Sequence, residues 1–467
     1  MVFSGVIFLF YFIPLFFLCY FAFPKKYRNL ILLIASILFY QWGAPWFVFV
    51  ILASTFVDYH VVNKIARTHE SKAKKRWLLI SLTLNLGLLA WFKYANFFVE
   101  NIQNLFSTNA SWVEIALPIG ISFYTFQTIT YAVDVYRGVH EPLKKVSDYM
   151  MYILMFPQLI AGPIVRYHEI ADQIEARNSR REDIEWGIIR FCIGLAKKVL
   201  IANVLAQNAD EIFRIGMDDL STSTAWIGIL AYTFQIYFDF SGYSDMAIGL
   251  GRILGFKFPE NFDNPYTSAS ITEFWRRWHM TLGQFMKNYL YIPLGGNRLT
   301  PIRTYLNLVV VFLLSGLWHG ASWNFVLWGL FHGTFLLLDR LFLLKLLKRI
   351  GKLAAVLLTF FISVLGWVIF RIEDVSKAKH FYKTLFDFSD LRSLYFFEKE
   401  LIFTLVMAVI FSFVYLTPFG KLIQQKIFHE TSKPPKIGLK VLTILLLLLS
   451  TVYILTDSFN PFIYFRF

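Results

Sequence analysis

Leu353-Ala354-Ala355-Val356-Leu357-Leu358-Thr359-Phe360-Phe361-Ile362-Ser363-Val364-Leu365-Gly366-Trp367-Val368-Ile369-Phe370 runs without one ionisable side chain. A bilayer core about 30 Å thick takes about 20 apolar residues per helical span. The run is apolar on every side, so it is neither a surface helix with one greasy stripe nor an alternating barrel strand. Similar runs recur outward from it. Toward the N-terminus they are Trp323–Leu344, Tyr305–Leu317, Ala225–Leu250, Trp186–Leu205, Ile115–Val135, Leu78–Phe98, Trp46–Val62, Leu30–Gln41 and Gly5–Phe21; toward the C-terminus they are Leu401–Leu416 and Leu439–Leu455. Tyr149–Val165 is shorter and broken by Pro157 and Pro163, which predicts a re-entrant piece that does not cross. The fold class expected is an all-α polytopic integral membrane protein with about 11–13 membrane helices, some broken or re-entrant. Composition agrees: 57% of residues are hydrophobic, 51 are Phe, and mean hydropathy is +0.54.

Residues 1–467 read as a single integral membrane domain, without a solenoid period or internal repeat. Met1–Phe23 lacks a basic leader and a small-residue cleavage pattern, so it is expected to be a retained first span. The net charge of +14 comes from 45 Lys and Arg against 31 Asp and Glu. In a multi-pass protein such an excess collects in cytoplasmic loops, and no basic face stands apart from the spans to bind nucleic acid. Basic clusters fall at Lys25–Arg28, Lys72–Arg76, Lys144–Lys145, Arg177–Arg181, Arg252–Arg303, Lys345–Lys352 and Lys421–Lys440. Taking these as cytoplasmic puts the N-terminus outside. The alternation stays consistent when Tyr149–Val165 does not cross. Arg371–Glu400 is then a mixed-charge loop on the outer side. Cys19 and Cys192 lie in apolar segments and have no metal-ligand spacing, so neither a disulfide framework nor a metal site is expected.

Two histidines beside tryptophans stand out against this background: Trp278-His279 and Trp318-His319-Gly320. Ionisable groups at membrane depth are costly and mark function by default. Imidazole, with an ordinary pKa of about 6.5, is suited to moving protons near neutrality. Around His279, Ile271–Tyr291 mixes Trp275, Trp278, Leu282 and Phe285 at helical spacing with Glu273, Arg276, Arg277 and Lys287. This predicts an amphipathic helix at the cytoplasmic interface, within a cytoplasmic or re-entrant segment over 271–303. The following Tyr291-Ile292-Pro293-Leu294-Gly295-Gly296-Asn297-Arg298 needs a specific backbone path through its paired glycines. Asp58, Asn85, Lys93, Asp134, Asp239 and Asp245 are the other polar groups in apolar surroundings.

The Phe274–Arg298 string resembles the signature of bacterial membrane-bound O-acyltransferases, in particular their alginate-type branch of polysaccharide and peptidoglycan O-acetyltransferases. Further blocks are similar to that family in order along the chain: Leu117–Gln127, Phe156–Ile164, Tyr237–Asp245, Gly366–Arg371 and Tyr464–Phe467. The resemblance implies that His319 is catalytic and that His279 is a second active-site histidine. It also implies a central funnel or tunnel in which donor and acceptor meet. Trp275, Arg276, Arg277, Trp278, Asn297, Arg298 and Trp318 are implied donor-side candidates, with Asp239, Ser241, Tyr243 and Asp245 from the matching block. Many relatives carry Arg-Asp-Tyr where this chain has Lys287-Asn288-Tyr289, which leaves the donor contacts there open.

The activity expected is transfer of an acyl group, acetyl above all, from a cytoplasmic thioester such as acetyl-CoA, across the inner membrane, for O-acetylation of an envelope polysaccharide. His319 would serve as general base, with His279 orienting the thioester or relaying the proton. No bound cofactor is expected. The expected partners are an acyl-CoA or acyl-carrier donor, a periplasmic or cell-surface O-acetyltransferase, the polysaccharide acceptor and the lipid bilayer. A D-alanyl transferase for teichoic acid, fed by a carrier protein, is the alternative within the family. A proton-coupled transporter or flippase is the alternative outside it.

Overall fold

Apolar backbone away from water can satisfy its amides only within helices or closed barrels. The computed structural model is helical, with no strand among the described residues. These are 2–108, 111–160, 162–216, 218–391, 398–429, 433–457 and 459–461. Ala161 and the Tyr464–Phe467 block lie outside them.

The helices are α1 Phe8–Ala22, α2 Arg28–Gly43, α3 Phe47–Arg67, α4 Ser71–Phe106, α5 Ile121–Arg137, α6 Val146–Leu154, α7 Phe156–Leu159 and α8 Tyr167–Glu175. They continue as α9 Arg181–Ala196, α10 Val204–Arg214, α11 Thr222–Ile253, α12 Ile271–Arg277, α13 Met280–Phe285, α14 Pro301–His319 and α15 Trp323–Leu338. The last six are α16 Leu344–Ile350, α17 Lys352–Arg371, α18 Val375–Phe386, α19 Lys399–Leu416, α20 Pro418–Gln424 and α21 Ile437–Thr456. By length and composition α3, α4, α14, α17, α19 and α21 are candidate membrane spans. This is a multi-pass, all-α membrane protein.

Two expected runs change length. Tyr305–Leu317 extends to 19 residues in α14, because Thr300 caps it through the Arg303 amide and Pro301 starts it. Leu78–Phe98 becomes part of a 36-residue α4. Within Tyr149–Val165, α6 has nine residues and α7 four. At 1.5 Å per residue the longer reaches about 13 Å, well short of a bilayer core. Arg371–Glu400 is not the bare loop expected. It carries α18, capped by Asp374, whose Phe381 and Leu385 are buried, and the Trp226 indole donates to the Leu385 carbonyl at 2.9 Å. Residues 392–397 of that excursion lie outside the described set.

The chain divides into two compact units, Met1–Gly187 with Ala247–Pro259, and Ile188–Met246 with Glu260–Phe467. In the first, the buried Asp58 accepts from Ser81 Oγ at 2.5 Å, Asn85 Nδ2 at 2.9 Å and Tyr149 Oη at 2.6 Å. Asp134 meets His168 Nδ1 at 2.8 Å, and Lys93 Nζ donates to Ser122 Oγ at 3.2 Å. A buried polar group is tolerated when its hydrogen-bonding capacity is met by neighbours. These four intramembrane candidates therefore knit helices together in the first unit.

The second unit holds both Trp-His pairs. Its α14 and α15 form a tight hairpin through two small-residue motifs, Gly316-Leu317-Trp318-His319-Gly320 and Gly329-Leu330-Phe331-His332-Gly333. A Cβ on Gly316 would lie 2.1 Å from the Phe325 carbonyl oxygen, and one on Gly329 would lie 2.4 Å from that of Phe312. Only glycine permits this approach, and it places His319 at the bend.

Candidate active site

The segment carrying His279 is not the continuous amphipathic helix expected. α12 stops at Arg277, Trp278 is extended (φ −97°, ψ 128°), His279 is left-handed (φ +46°, ψ +52°), and α13 begins at Met280. The break comes from a neighbouring stretch that competes for the backbone. Asp263 N donates to the Arg277 carbonyl at 2.9 Å, and Met280 N donates to the Asn261 carbonyl at 2.9 Å. Above the break, α12 is pinned at its start. Ser270 Oγ accepts from Glu273 N at 3.1 Å, and Asp339 Oδ2 accepts from both the Thr272 amide and hydroxyl at 2.7 Å.

The two histidines come together across one indole. The Trp318 ring lies 5.9 Å from that of His279 and 5.0 Å from that of His319, both edge-to-face. His319 also packs against Trp328 at 5.1 Å and Phe370 at 5.3 Å, while Phe240 packs on His279 at 4.7 Å. Their exposures are 1% for His279 and 6% for His319, which makes this a water-poor aromatic chamber. On the His279 side, Nδ1 lies 3.1 Å from Asn261 Oδ1, and Nε2 is buried with no hydrogen-bond partner among the described residues. Burial pushes the His279 imidazole down to about 3, so it is neutral at physiological pH.

Trp275 and Trp278 belong to the same chamber. Trp275 stands edge-on to Trp328 at 5.4 Å and to His332 at 4.9 Å, and Trp278 lies 4.9 Å from Trp367. The other donor-side candidates are elsewhere. Arg276 is exposed, and Arg277 is held by Glu273 Oε1 at 2.9 Å and Asp263 Oδ2 at 3.5 Å. Asn297 and Arg298 are exposed in the turn that follows. There Gly295 and Gly296 take φ of +100° and +56°, the backbone path that the paired glycines predicted. Asn297 lines a surface groove of about 430 Å³ with Tyr305 and Arg340.

The Tyr237–Asp245 block contributes Phe240 to the chamber, while its two acids serve packing. Asp245 is buried between Arg190 Nη2 and Lys197 Nζ, each at 2.6 Å, and Asp239 pairs with Lys198 Nζ at 3.0 Å. Ser241 and Tyr243 are buried on the same helix. Sequence reasoning did not single out Asn261, Lys198, Arg190, His332 or Asp339. The two lysines in an otherwise apolar run were the signal for the first buried pair. Asn261 carried no signal beyond a polar residue after Pro259.

Comparison with known proteins places the chain in a family. Residues 67–348, which contain both histidines, match the model of MBOAT, the membrane-bound O-acyltransferase family. A protein named probable alginate O-acetylase from Azotobacter vinelandii is 40% identical over 501 residues, covering 100% of this chain and 100% of its own. A peptidoglycan O-acetyltransferase from Helicobacter pylori is 38% identical over 416 residues, covering 81% of this chain and 78% of its own. A teichoic acid D-alanyltransferase from Streptococcus thermophilus is 28% identical over 251 residues, covering 50% of this chain and 59% of its own. With a family match over more than half its length and a relative aligned end to end, the chain belongs to the membrane-bound O-acyltransferase family and is an O-acyltransferase.

Proposed function

We propose that this enzyme moves an acetyl group from a cytoplasmic thioester, acetyl-CoA by preference, through the inner membrane for O-acetylation of an envelope polysaccharide. The observation that carries the reading is the pair of buried histidines on either side of Trp318, in a chamber of aromatic rings. An alcohol at neutral pH is a poor nucleophile. His319 accepts its proton as the oxygen attacks the thioester carbonyl, a contribution of about 10²–10⁴-fold for a positioned base. Collapse of the adduct breaks the C–S bond, and the imidazolium returns its proton to the leaving thiolate. The products are an O-ester and a free thiol. Apolar walls that exclude water protect the thioester from hydrolysis.

The relatives named for alginate and peptidoglycan O-acetylation support acetyl as the group and a glycan as its destination. The D-alanyl alternative has less support, since the relative so named covers only 50% of this chain. The loop charges support an N-terminus outside and a donor arriving from the cytoplasm. The donor side includes Trp275 and Trp278 in the chamber. Arg276, Asn297 and Arg298 are exposed, so they are available to the phosphates of a coenzyme or carrier. A periplasmic acetyltransferase then completes delivery to the glycan. The test is thiol release from acetyl-CoA by the purified protein with glycan acceptors and the partner enzyme present. Wild type turns over, and His319→Ala, folded and inserted, loses about 10²-fold or more. Equal turnover in both overturns His319 as the base.

A further inference from the structure

Which ring nitrogen of His279 carries the proton follows from the atoms around Asn261. Three groups converge on Asn261 Oδ1: His279 Nδ1 at 3.1 Å, Thr281 Oγ1 at 2.9 Å and the Thr281 backbone amide at 3.3 Å. A backbone N–H can only donate, so the amide atom facing it is the carbonyl oxygen whichever way the asparagine side chain is drawn. An oxygen that accepts from Thr281 cannot donate to an imidazole, so His279 Nδ1 must carry the hydrogen. In a neutral ring the lone pair then sits on Nε2, the nitrogen left buried without a partner among the described residues.

We propose that Asn261 is a positioning residue that holds His279 as the Nδ1–H tautomer and so makes Nε2 an obligate hydrogen-bond acceptor toward the acceptor alcohol. The inference rests on the acyl-transfer reading and deepens it. It decides between the two roles open to His279. A neutral imidazole with its lone pair inward cannot donate to a thioester carbonyl; it receives a hydroxyl hydrogen, orienting the alcohol or passing its proton on. The backbone supports the same assignment. A histidine in the left-handed region is strained and persists where its surroundings over-determine it. Here Asn261 supplies both constraints, its backbone carbonyl holding Met280 N at 2.9 Å and its side chain holding the ring. Asn261 is itself fully buried at 0% exposure, so no water competes for its oxygen.

The experiment uses the full-length protein in detergent and has two independent readouts. The first is ¹⁵N NMR of histidine-labelled protein, with His279→Gln identifying the His279 signals by difference. A protonated Nδ1 and a non-protonated Nε2 in wild type, lost to tautomer exchange in Asn261→Leu, is the expected result. A protonated Nε2 in wild type overturns the proposal. The second is thiol release. Asn261→Leu lowers kcat by about 10²-fold, close to His279→Gln, and Asn261→Asp, which keeps an acceptor, recovers most of it. In a His279→Gln background Asn261→Leu changes kcat by no more than about twofold, because both act through one ring. Losses that multiply in the double variant show a purely structural asparagine and overturn the proposal. A wild type without turnover would sink the acyl-transfer reading, while the NMR result still decides the tautomer.

Discussion

The neutral His279 imidazole makes a stability prediction that needs no substrate. Its folded-state pKa is pushed down to about 3 by burial, whereas an unfolded histidine titrates near 6.5. A depressed histidine is stabilising in its neutral form. That contribution is complete above about pH 6.5 and is lost as pH falls from there toward 3, because only the unfolded chain takes up the proton. At about pH 5 the unfolded state has gained roughly 1.5 pH units of protonation free energy, or about 2 kcal/mol at 1.36 kcal/mol per unit. The perturbation is His279→Gln, which keeps a polar side chain and removes the titration. The assay is thermal or denaturant unfolding in detergent at about pH 7.5 and about pH 5. Every other titrating group contributes to both proteins, so the difference between the two pH dependences isolates His279. Wild type should lose about 2 kcal/mol more than the variant on acidification, a shift of about 2 °C in midpoint for a chain of this size. Parallel pH dependences would refute the argument, and with it the claim that the ring is sealed from water in the folded protein.

Four further expectations can be checked in the same preparation. Lys198→Met removes the cation paired with Asp239, which is buried at 1% exposure, so it should cost about 3–5 kcal/mol, with Lys198→Met/Asp239→Leu recovering most of it in the same unfolding assay. Gly316→Ala puts a Cβ 2.1 Å from the Phe325 carbonyl oxygen and should cost about 1–3 kcal/mol while lowering thiol release, because the hairpin that sets His319 must open. Gly87→Ala, where a Cβ meets nothing within 4 Å, should instead gain up to about 1 kcal/mol of helix propensity. Asp339→Ala removes the carboxylate that holds both donors of Thr272 and should cost about 1–2 kcal/mol, with a drop in kcat larger than that of Thr272→Val.

Much of the architecture can be read from hydropathy alone, because in a bilayer an apolar run has few alternatives to a helix. Both histidines and their tryptophans stand out for the same reason. What hydropathy does not carry is partnership. Asp239 and Asp245 read as site residues until Lys198, Lys197 and Arg190 are seen across from them, since a buried acid and a buried base look equally anomalous when read singly. The break at His279 is invisible for a different reason. Trp278-His279-Met280-Thr281 contains neither Gly nor Pro, and its helical spacing is sound. The interruption is imposed by Asn261 and Asp263, more than a dozen residues upstream. Arg276, Asn297 and Arg298 cluster with the tryptophans in sequence yet lie exposed, Arg276 on α12 and the other two in the turn after Gly295 and Gly296, where Asn297 lines the surface groove.

The left-handed backbone at His279 also sets a trade-off in what substitution can achieve there. Glycine is the residue that such a conformation favours, and it would also spare the chain a desolvated ring. On backbone grounds His279→Gly is therefore a tolerated change, which the proposed role of the ring predicts to be disabling, with the loss of ring packing against Phe240 as the opposing term. A selection for folding and membrane insertion alone would let histidine drift from this position. Retention of an imidazole across related chains, at a site where the backbone asks for glycine, would be the imprint of selection for chemistry.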